Sequence, residues 1–342
     1  LKAPGGHDLT ALAGRAEDVS MKVVINGFGR IGRSVLRAWA GGAGRGIEIV
    51  GINDIATAEM CAYLFEYDSV FGPYRGTVAL EAGMLVVDGR AIPLTCTGDI
   101  STLDLTGVDL VMECTGRADS VEVASRGLRA GARRVLVSGP SGAAEVTVVL
   151  GANEHLLAEQ RIVSNASCTT NALAPLVKAL HGAFGVVTGS MTTIHCYTGS
   201  QPTVDAPAAD FARSRAAALS MVPTTTSAQR QLDVVLPEVA GRIEGSAVRV
   251  PTASVSAVDL AVMTDRPAAS AAVNAVLRDA GGVIGVTDRA LVSSDLRARP
   301  ESIVMALPET RVTQGGLVRV FGWYDNEWGF SNRMLDVGRL MG

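Results

Sequence analysis

Apolar and polar positions fall into a regular order from Met21 onward. MKVVIN (21–26) is a short, nearly continuous apolar run closed by a glycine. IEIVGIND (47–54), VDLVMECTG (108–116), RRVLVSG (133–139) and RIVSNA (161–166) repeat that form. Strands buried on both faces read this way. GRSVLRAWA (32–40) and DSVEVASRGLRAG (119–131) lie between them with helical spacing. Apolar runs alternating with helices predict βαβ units and a parallel sheet. The pattern then changes. GVVTGSMTTIHCYT (185–198), GSAVRVPT (245–252), SVSAVDLAVM (254–263) and GGLVRVFGWYD (315–325) are longer and alternate more. They predict a mixed, largely antiparallel sheet with helices on one face. The chain closes on GFSNRMLDVGRLM (329–341), a helix whose apolar positions are Met334, Leu335, Val337 and Leu340.

The expected fold class is therefore α/β: a Rossmann-type doubly wound parallel sheet plus an α+β domain with a mixed, largely antiparallel sheet. The boundaries follow the pattern change: 21–169 for the first domain, joined by the closing helix at 328–342, and 170–327 for the second. Residues 1–20 lack the apolar core of a signal peptide and, with Leu first and Met21 directly before the first strand, read as an extension ahead of a start at Met21. Residues 197–227 show little regular pattern. An irregular stretch that long inside a compact domain is usually functional.

Composition narrows the class. Hydrophobic residues are 48% and aromatics 4%, so the core is built of aliphatics. The net charge is −4 and no basic run appears, which argues against a nucleic-acid partner. No apolar run approaches the ~20 residues of a membrane span. The five cysteines are odd in number and widely spaced, which excludes a disulfide framework and offers no CxxC metal pair. Reduced thiols fit a cytoplasmic setting, and no metal is expected.

Gly27-Phe28-Gly29-Arg30-Ile31-Gly32 is a GxGxxG placed where the motif has meaning, after a strand and opening a helix. Its glycines permit a tight turn and a close approach of the backbone to a pyrophosphate, which would sit on the helix N-terminus. Asp54 ends the second strand, twenty-two residues past Gly32, where a carboxylate accepts from ribose hydroxyls and repels a 2′-phosphate. The expected cofactor is NAD. A Gly-rich turn in any βα unit, with Asp54 as a helix cap, would carry the same letters but needs no such order.

Cys168, in Ser167-Cys168-Thr169-Thr170-Asn171, follows a strand and opens a helix. The helix N-terminus is expected to lower its pKa, and the free N–H groups could hold an oxyanion. Pro175 should perturb the first turns of that helix. Cys61, Cys96 and Cys114 lie in apolar segments and read as buried structural thiols. His195, at the end of a strand just before the irregular stretch, is the candidate base; His7, His155 and His181 read as structural.

INGFGRIGR (25–33), SNASCTTN (164–171), TTIHCYTG (192–199), VRVPT (248–252), LVSSD (291–295) and WYDNEWGFSNR (323–333) together resemble the glyceraldehyde-3-phosphate dehydrogenase family, in its order from Met21 to the C-terminus. Erythrose-4-phosphate dehydrogenase shares most of these motifs. The resemblance implies a cysteine thioester, with Cys168 as nucleophile and His195 as its base. It implies that Gly27, Phe28, Gly29, Arg30, Ile31 and Asp54 line the NAD site and that Asn326 holds the nicotinamide carboxamide. Thr198 and Arg249 would bind the phosphate of a phosphorylated aldehyde. Ser167, Thr169, Thr226 with its neighbour Ser227, and Arg215 would bind the attacking inorganic phosphate. The implied enzyme is a cytoplasmic, glycolytic oxidoreductase and a homotetramer whose long loop touches a neighbouring subunit's cofactor region. The sequence departs from the pattern at Ser200, where the family usually has Asp, at Ser227, where it usually has Gly, and at Ala172, where a second Cys is common. An aspartate-semialdehyde-type enzyme would prefer NADP, against Asp54. A binding protein without turnover would not need Cys168 and His195 together.

Overall fold

The computed structural model describes residues 20–342. The extension expected at 1–20 lies outside the described residues but for Ser20. The first sheet is built from β1 (Met21–Asn26), β2 (Ile47–Asn53), β3 (Val78–Glu81), β4 (Met84–Val87), β5 (Arg90–Thr95), β6 (Leu110–Glu113), β7 (Arg134–Val137), β8 (Val146–Thr147) and β9 (Ile162–Ser164). Their order is β3-β4-β5-β2-β1-β6-β7-β9-β8. From β5 to β8 every pairing is parallel, and β3 and β4 add an antiparallel edge. Helices α1 (Arg30–Ala38) and α2 (Ala58–Glu66) cover one face, while short α3 (Val121–Ala124) and α4 (Arg126–Arg129) pack on the other. Both faces are thus buried, which is why its strands are continuous apolar runs.

Nothing in the strand–helix alternation anticipates the double hairpin β3–β4–β5. Its two tight turns place Ala82-Gly83 and Asp88-Gly89 at positive φ, the pairing that two-residue hairpin turns of this hand require.

The second sheet follows. Long α5 (Cys168–Phe184) leads into β10 (Val186–Cys196), β11 (Val222–Thr224), α6 (Ala228–Val235), β12 (Ile243–Val250) and β13 (Ser256–Thr264). Then come α7 (Ser270–Ala280), β14 (Ile284–Thr287), β15 (Ile303–Ala306), β16 (Arg311–Val312), β17 (Val318–Tyr324) and α8 (Trp328–Leu340). The strand order is β11-β12-β10-β13-β17-β15-β14, with β16 on β17. Two pairings, β10–β12 and β14–β15, are parallel and the others antiparallel. Helices α5, α6 and α7 bury one face of this sheet under Leu173, Leu176, Leu180, Leu232, Val273 and Leu277. α8 crosses back: Met334, Leu335 and Val337 are fully buried in the core under the first sheet.

Pro175 does not perturb α5, which runs unbroken from Cys168 to Phe184. A proline removes one i→i−4 bond, and the loss is offset here because Leu173, Leu176, Val177 and Leu180 around it are all fully buried. Among the described residues, no helix is long and apolar enough to cross a membrane.

Candidate active site

The carboxyl ends of the central parallel strands are tied together by polar side chains. Asn26 Nδ2 donates to Glu113 at 2.5 Å, Asn53 Nδ2 donates to Asn26 Oδ1 at 2.8 Å, and Glu113 accepts from the Thr115 N–H at 2.9 Å. On this platform sits the Gly27–Gly32 turn. A Cβ at Gly27 would lie 2.6 Å from the Thr115 nitrogen, and one at Gly32 would lie 2.1 Å from the Gly27 carbonyl oxygen. Both glycines therefore serve close packing. A Cβ at Gly29 would meet nothing within 4 Å. The space there is a cradle, and it fronts the start of α1, which has no side-chain cap and no acidic residue in its first turn. The N–H groups of a first helical turn lack intrahelical acceptors and favour an anion.

A cleft opens on each side of this turn. One, of about 780 Å³, is lined by Gly27, Gly29, Asp54, Ile55, Thr97, Gly98, Arg117 and Arg126 among others. The other, of about 900 Å³, is lined by Arg30, Ile31, Ser167, Cys168, His195, Thr198, Ser200, Arg249 and Asn326 among others. A ligand with two lobes joined by a diphosphate would lay the diphosphate on the helix start and put one lobe in each cleft. The donor set therefore fits a dinucleotide. Asp54 lines the first cleft as expected, and its carboxylate ties the glycine turn to the end of β2 by accepting from the Phe28 N–H at 2.5 Å and the Ala56 N–H at 2.8 Å; α2 is capped instead by Thr57. Phe28 itself is buried, stacked on Phe65, so it contributes structure rather than a cleft wall. Arg30 is anchored to Glu327, with Nε to Oε1 at 2.9 Å, and to Asp68.

In the second cleft, Cys168 begins α5 and Ser167 caps it, its Oγ accepting from the Thr170 N–H at 3.1 Å. Cys168 Sγ lies 3.7 Å from His195 Nε2. His195 Nδ1 lies 2.7 Å from the Cys196 carbonyl oxygen. In the tautomer with its hydrogen on Nδ1, the ring donates to that oxygen and presents the Nε2 lone pair to the thiol. Arg249 Nη1, 2.9 Å from Nδ1, donates to the same carbonyl at 2.7 Å. The expected lowering of the cysteine pKa is reversed. Burial pushes the Cys168 thiol up to about 11, against the opposing pull of Thr169 and Arg249. Burial, helped by Arg249, takes the His195 imidazole down to about 4. The pair is neutral, because desolvation in the half-buried wall of the cleft outweighs the helix start.

Thr198 Oγ1 and Ser200 Oγ stand 2.9 Å apart on the rim of this cleft, across from Arg249. The Thr169 hydroxyl is held by Tyr324 at 2.9 Å. Arg215 is exposed and paired with Asp205 at 2.7 Å, and neither it nor Thr226 and Ser227 lines the cleft with Cys168. Ser227 leads into α6 and Thr226 Oγ1 accepts from the Ala228 N–H. Of the thiols expected to be buried, Cys61 is, Cys96 is exposed, and Cys114 is half-buried on the wall of the first cleft. Cys96 lies one residue past the end of β5, where the apolar run has stopped.

Several residues around the site have no sequence signal of their own. Tyr324 is buried beneath the Cys168–His195 pair, edge-on to the imidazole, and its hydroxyl meets Thr169 and, at 2.8 Å, Thr193. Cys196 Sγ lies 3.0 Å from Asn326 Oδ1. These contacts come from the register of β10, β13 and β17, which a single strand does not reveal.

Comparison with known proteins agrees with this geometry. Residues 21–121 match the family model described as glyceraldehyde 3-phosphate dehydrogenase, NAD binding domain, and residues 167–326 match the one described as its C-terminal domain. Over 332 residues the chain is 47% identical to a glyceraldehyde-3-phosphate dehydrogenase of Xanthobacter flavus, covering 95% of this chain and 99% of the relative. Relatives of the same description from Cereibacter sphaeroides and Zymomonas mobilis are 46% and 45% identical. They cover 95% and 94% of this chain respectively, and 99% of each relative.

Proposed function

The chain belongs to the glyceraldehyde-3-phosphate dehydrogenase family, and from that premise we propose that it oxidises glyceraldehyde 3-phosphate with NAD and inorganic phosphate to 1,3-bisphosphoglycerate through a thioester on Cys168. The observation that carries the proposal is the juxtaposition in one cleft of Cys168, His195 Nε2, Arg249 and the start of α5. Residues 21–169 with α8 form the cofactor domain in this reading, and 170–327 the catalytic domain.

Cys168 Sγ adds to the aldehyde carbon as its proton passes to His195 Nε2, giving a hemithioacetal. The N–H groups at the start of α5 face the developing oxyanion. His195 returns that proton to the oxyanion, which makes the hemithioacetal hydroxyl, and takes it back as the carbon is oxidised to the thioester. NAD, when bound, supplies the hydride acceptor. Phosphate attacks the thioester carbon, the C–S bond breaks, and an acyl phosphate leaves Cys168 free. Gly27, Gly29, Arg30, Ile31 and Asp54 frame the cofactor, and Asn326 meets its carboxamide. Arg249, Thr198 and Ser200 face the substrate phosphate, where a serine in place of the family's usual Asp adds no repelling charge. Ser167, Thr169, Thr226, Ser227 and Arg215 serve the attacking phosphate, Arg215 after leaving Asp205. The second reading is the same cysteine chemistry on another phosphorylated aldehyde such as erythrose 4-phosphate, ending in hydrolysis; the departures at Ser200 and Ser227 are what make the substrate the point to test.

The proposed setting is cytoplasmic and glycolytic, since a reactive thiol must stay reduced. The proposed assembly is a homotetramer. Phe211 (95% exposed), Leu219 (84%) and Met221 (73%) on the long loop, and Phe321 and Trp323 on the uncovered face of the second sheet, support it.

NADH formation from glyceraldehyde 3-phosphate and NAD, with and without phosphate, tests the activity. Sustained turnover that requires phosphate is expected. Turnover on erythrose 4-phosphate alone would transfer the assignment to the second reading, and no turnover on either would refute both.

A further inference from the structure

Three adjacent strands end side by side beneath the second cleft. The register pairs Ile194 with Ala257 and Ser256 with Tyr324, so Cys196 at the end of β10, Ser256 at the start of β13 and Asn326 just past β17 converge. Cys196 and Ser256 are fully buried and Asn326 nearly so. Their polar groups close a ring. The Cys196 N–H donates to Ser256 Oγ at 3.1 Å. With one lone pair so occupied, the Ser256 hydroxyl donates to Asn326 Oδ1 at 3.4 Å. Cys196 Sγ–H donates to the same Oδ1 at 3.0 Å.

A carboxamide has two chemically opposite ends and two nearly isosteric orientations. Two donors on Oδ1 decide between them. The oxygen is pinned inward, and the NH₂ group has no acceptor among the described residues and opens on the cleft that holds Cys168. We propose that Cys196 is a positioning residue: its thiol, seconded by Ser256, orients Asn326 so that the amide N–H groups face the carbonyl oxygen of the nicotinamide carboxamide. This rests on the reading that Asn326 meets that group. Burial pushes the Cys196 thiol up to about 12, so it remains a donor at every pH where the fold is used. It lies at the back of Asn326, touching no substrate and taking no part in the thioester. A thiol suits the place because its long C–S bond reaches the amide oxygen from a strand residue.

The test compares two ligands that share the adenosine and the diphosphate and differ in the nicotinamide. Calorimetric affinities for NAD and for ADP-ribose are measured on the full chain, on Cys196→Ala and on Cys196→Ser. In Cys196→Ala, affinity for NAD should fall roughly fivefold, the worth of one hydrogen bond, while affinity for ADP-ribose stays unchanged and thereby shows the fold intact. Cys196→Ser keeps a donor and should restore NAD affinity to within about twofold, its shorter C–O bond making the contact longer. Equal losses for both ligands, or equal behaviour of the alanine and serine variants, would overturn the proposal. Asn326→Ala separates the two levels. If it lowers NAD affinity selectively while Cys196→Ala does nothing, Asn326 meets the nicotinamide but Cys196 does not orient it. If Asn326→Ala has no selective effect, the underlying reading fails and the proposal with it.

Discussion

Burial drives the two reacting groups apart in pKa, the Cys168 thiol up to about 11 and the His195 imidazole down to about 4. Near neutral pH the cysteine is then a thiol, and its nucleophilicity arises as Nε2 receives the proton. Alkylation by iodoacetamide in the absence of cofactor, corrected by a Cys168→Ser control for the four other cysteines, should climb through pH 8–11; a plateau already reached at pH 7 would establish a preformed thiolate. Cys168→Ser should itself abolish thioester formation and leave NAD affinity within about twofold, because the side chain is outside the Gly27–Gly32 turn; retained turnover in that variant would reassign the nucleophile. His195 has a consequence for stability. Its folded pKa lies below the ordinary 6.5, so between about pH 4 and 6.5 the unfolded chain binds more protons than the folded one. Stability therefore falls as pH falls through that window, with this group contributing up to about 1.4 kcal/mol per pH unit. Urea unfolding of His195→Gln should show a shallower loss between pH 6.5 and 4.5 than the parent, and equal slopes would mean the imidazole is solvated. Cys168 stood out in the sequence because a cysteine among hydroxyls at a helix start is unusual, whereas His195 was singled out mainly by the family resemblance. Their pKa shifts were not legible, because the sequence shows the helix start but not the depth at which Tyr324 and the strands of the second sheet enclose it.

Elements position these residues, and the strand–turn–helix around Gly27–Gly32 separates fold from function within one motif. Gly32→Ala would press a methyl to 2.1 Å from a backbone oxygen. The turn must then open, and destabilisation by more than about 3 kcal/mol is expected, in the range of severe core strain. Gly29→Ala finds open space and has an ordinary negative φ. It should leave the thermal midpoint nearly unchanged while weakening NAD at least tenfold, by filling the cradle at the start of α1. Thermal melts and NAD titrations on the two variants check this; a stable Gly29→Ala with undiminished NAD affinity would move the diphosphate elsewhere. The turn was legible because glycine spacing, strand and helix sit in one local window. The double hairpin β3–β4–β5 also carried a local mark, Asp88-Gly89 between two apolar runs, hidden within a pattern otherwise set by parallel strands. The ring of Cys196, Ser256 and Asn326 carried none, since it depends on β10, β13 and β17 lying together at sequence separations of 60 to 130 residues.

For the whole molecule, the surface is as informative as the core. The long loop, irregular in sequence, is irregular in structure too, with one short turn of helix at Ala212–Ser214 and then β11. It raises Phe211, Leu219 and Met221 almost fully into solvent amid charged Asp205, Asp210, Arg213 and Arg215. Large apolar side chains inside a polar rim are the composition of an interface rather than of a free surface. Each fully exposed Phe or Leu side chain would gain about 1.5–3 kcal/mol on burial, so several chains sharing such loops would be held firmly. Sedimentation of the parent at micromolar concentration should give four chain masses, and the Phe211→Asp, Leu219→Asp double variant should give fewer. The double variant should also bind NAD more weakly than the parent if this loop borders a neighbouring cofactor region, although Cys168, His195 and the Gly27–Gly32 turn all come from one chain. A parent that sediments as a monomer would remove the tetramer from the proposal. A double variant that stays tetrameric would shift the contact to the uncovered face of the second sheet, where Phe321 and Trp323 stack edge to face at 4.9 Å beside the Arg319–Asp259 pair.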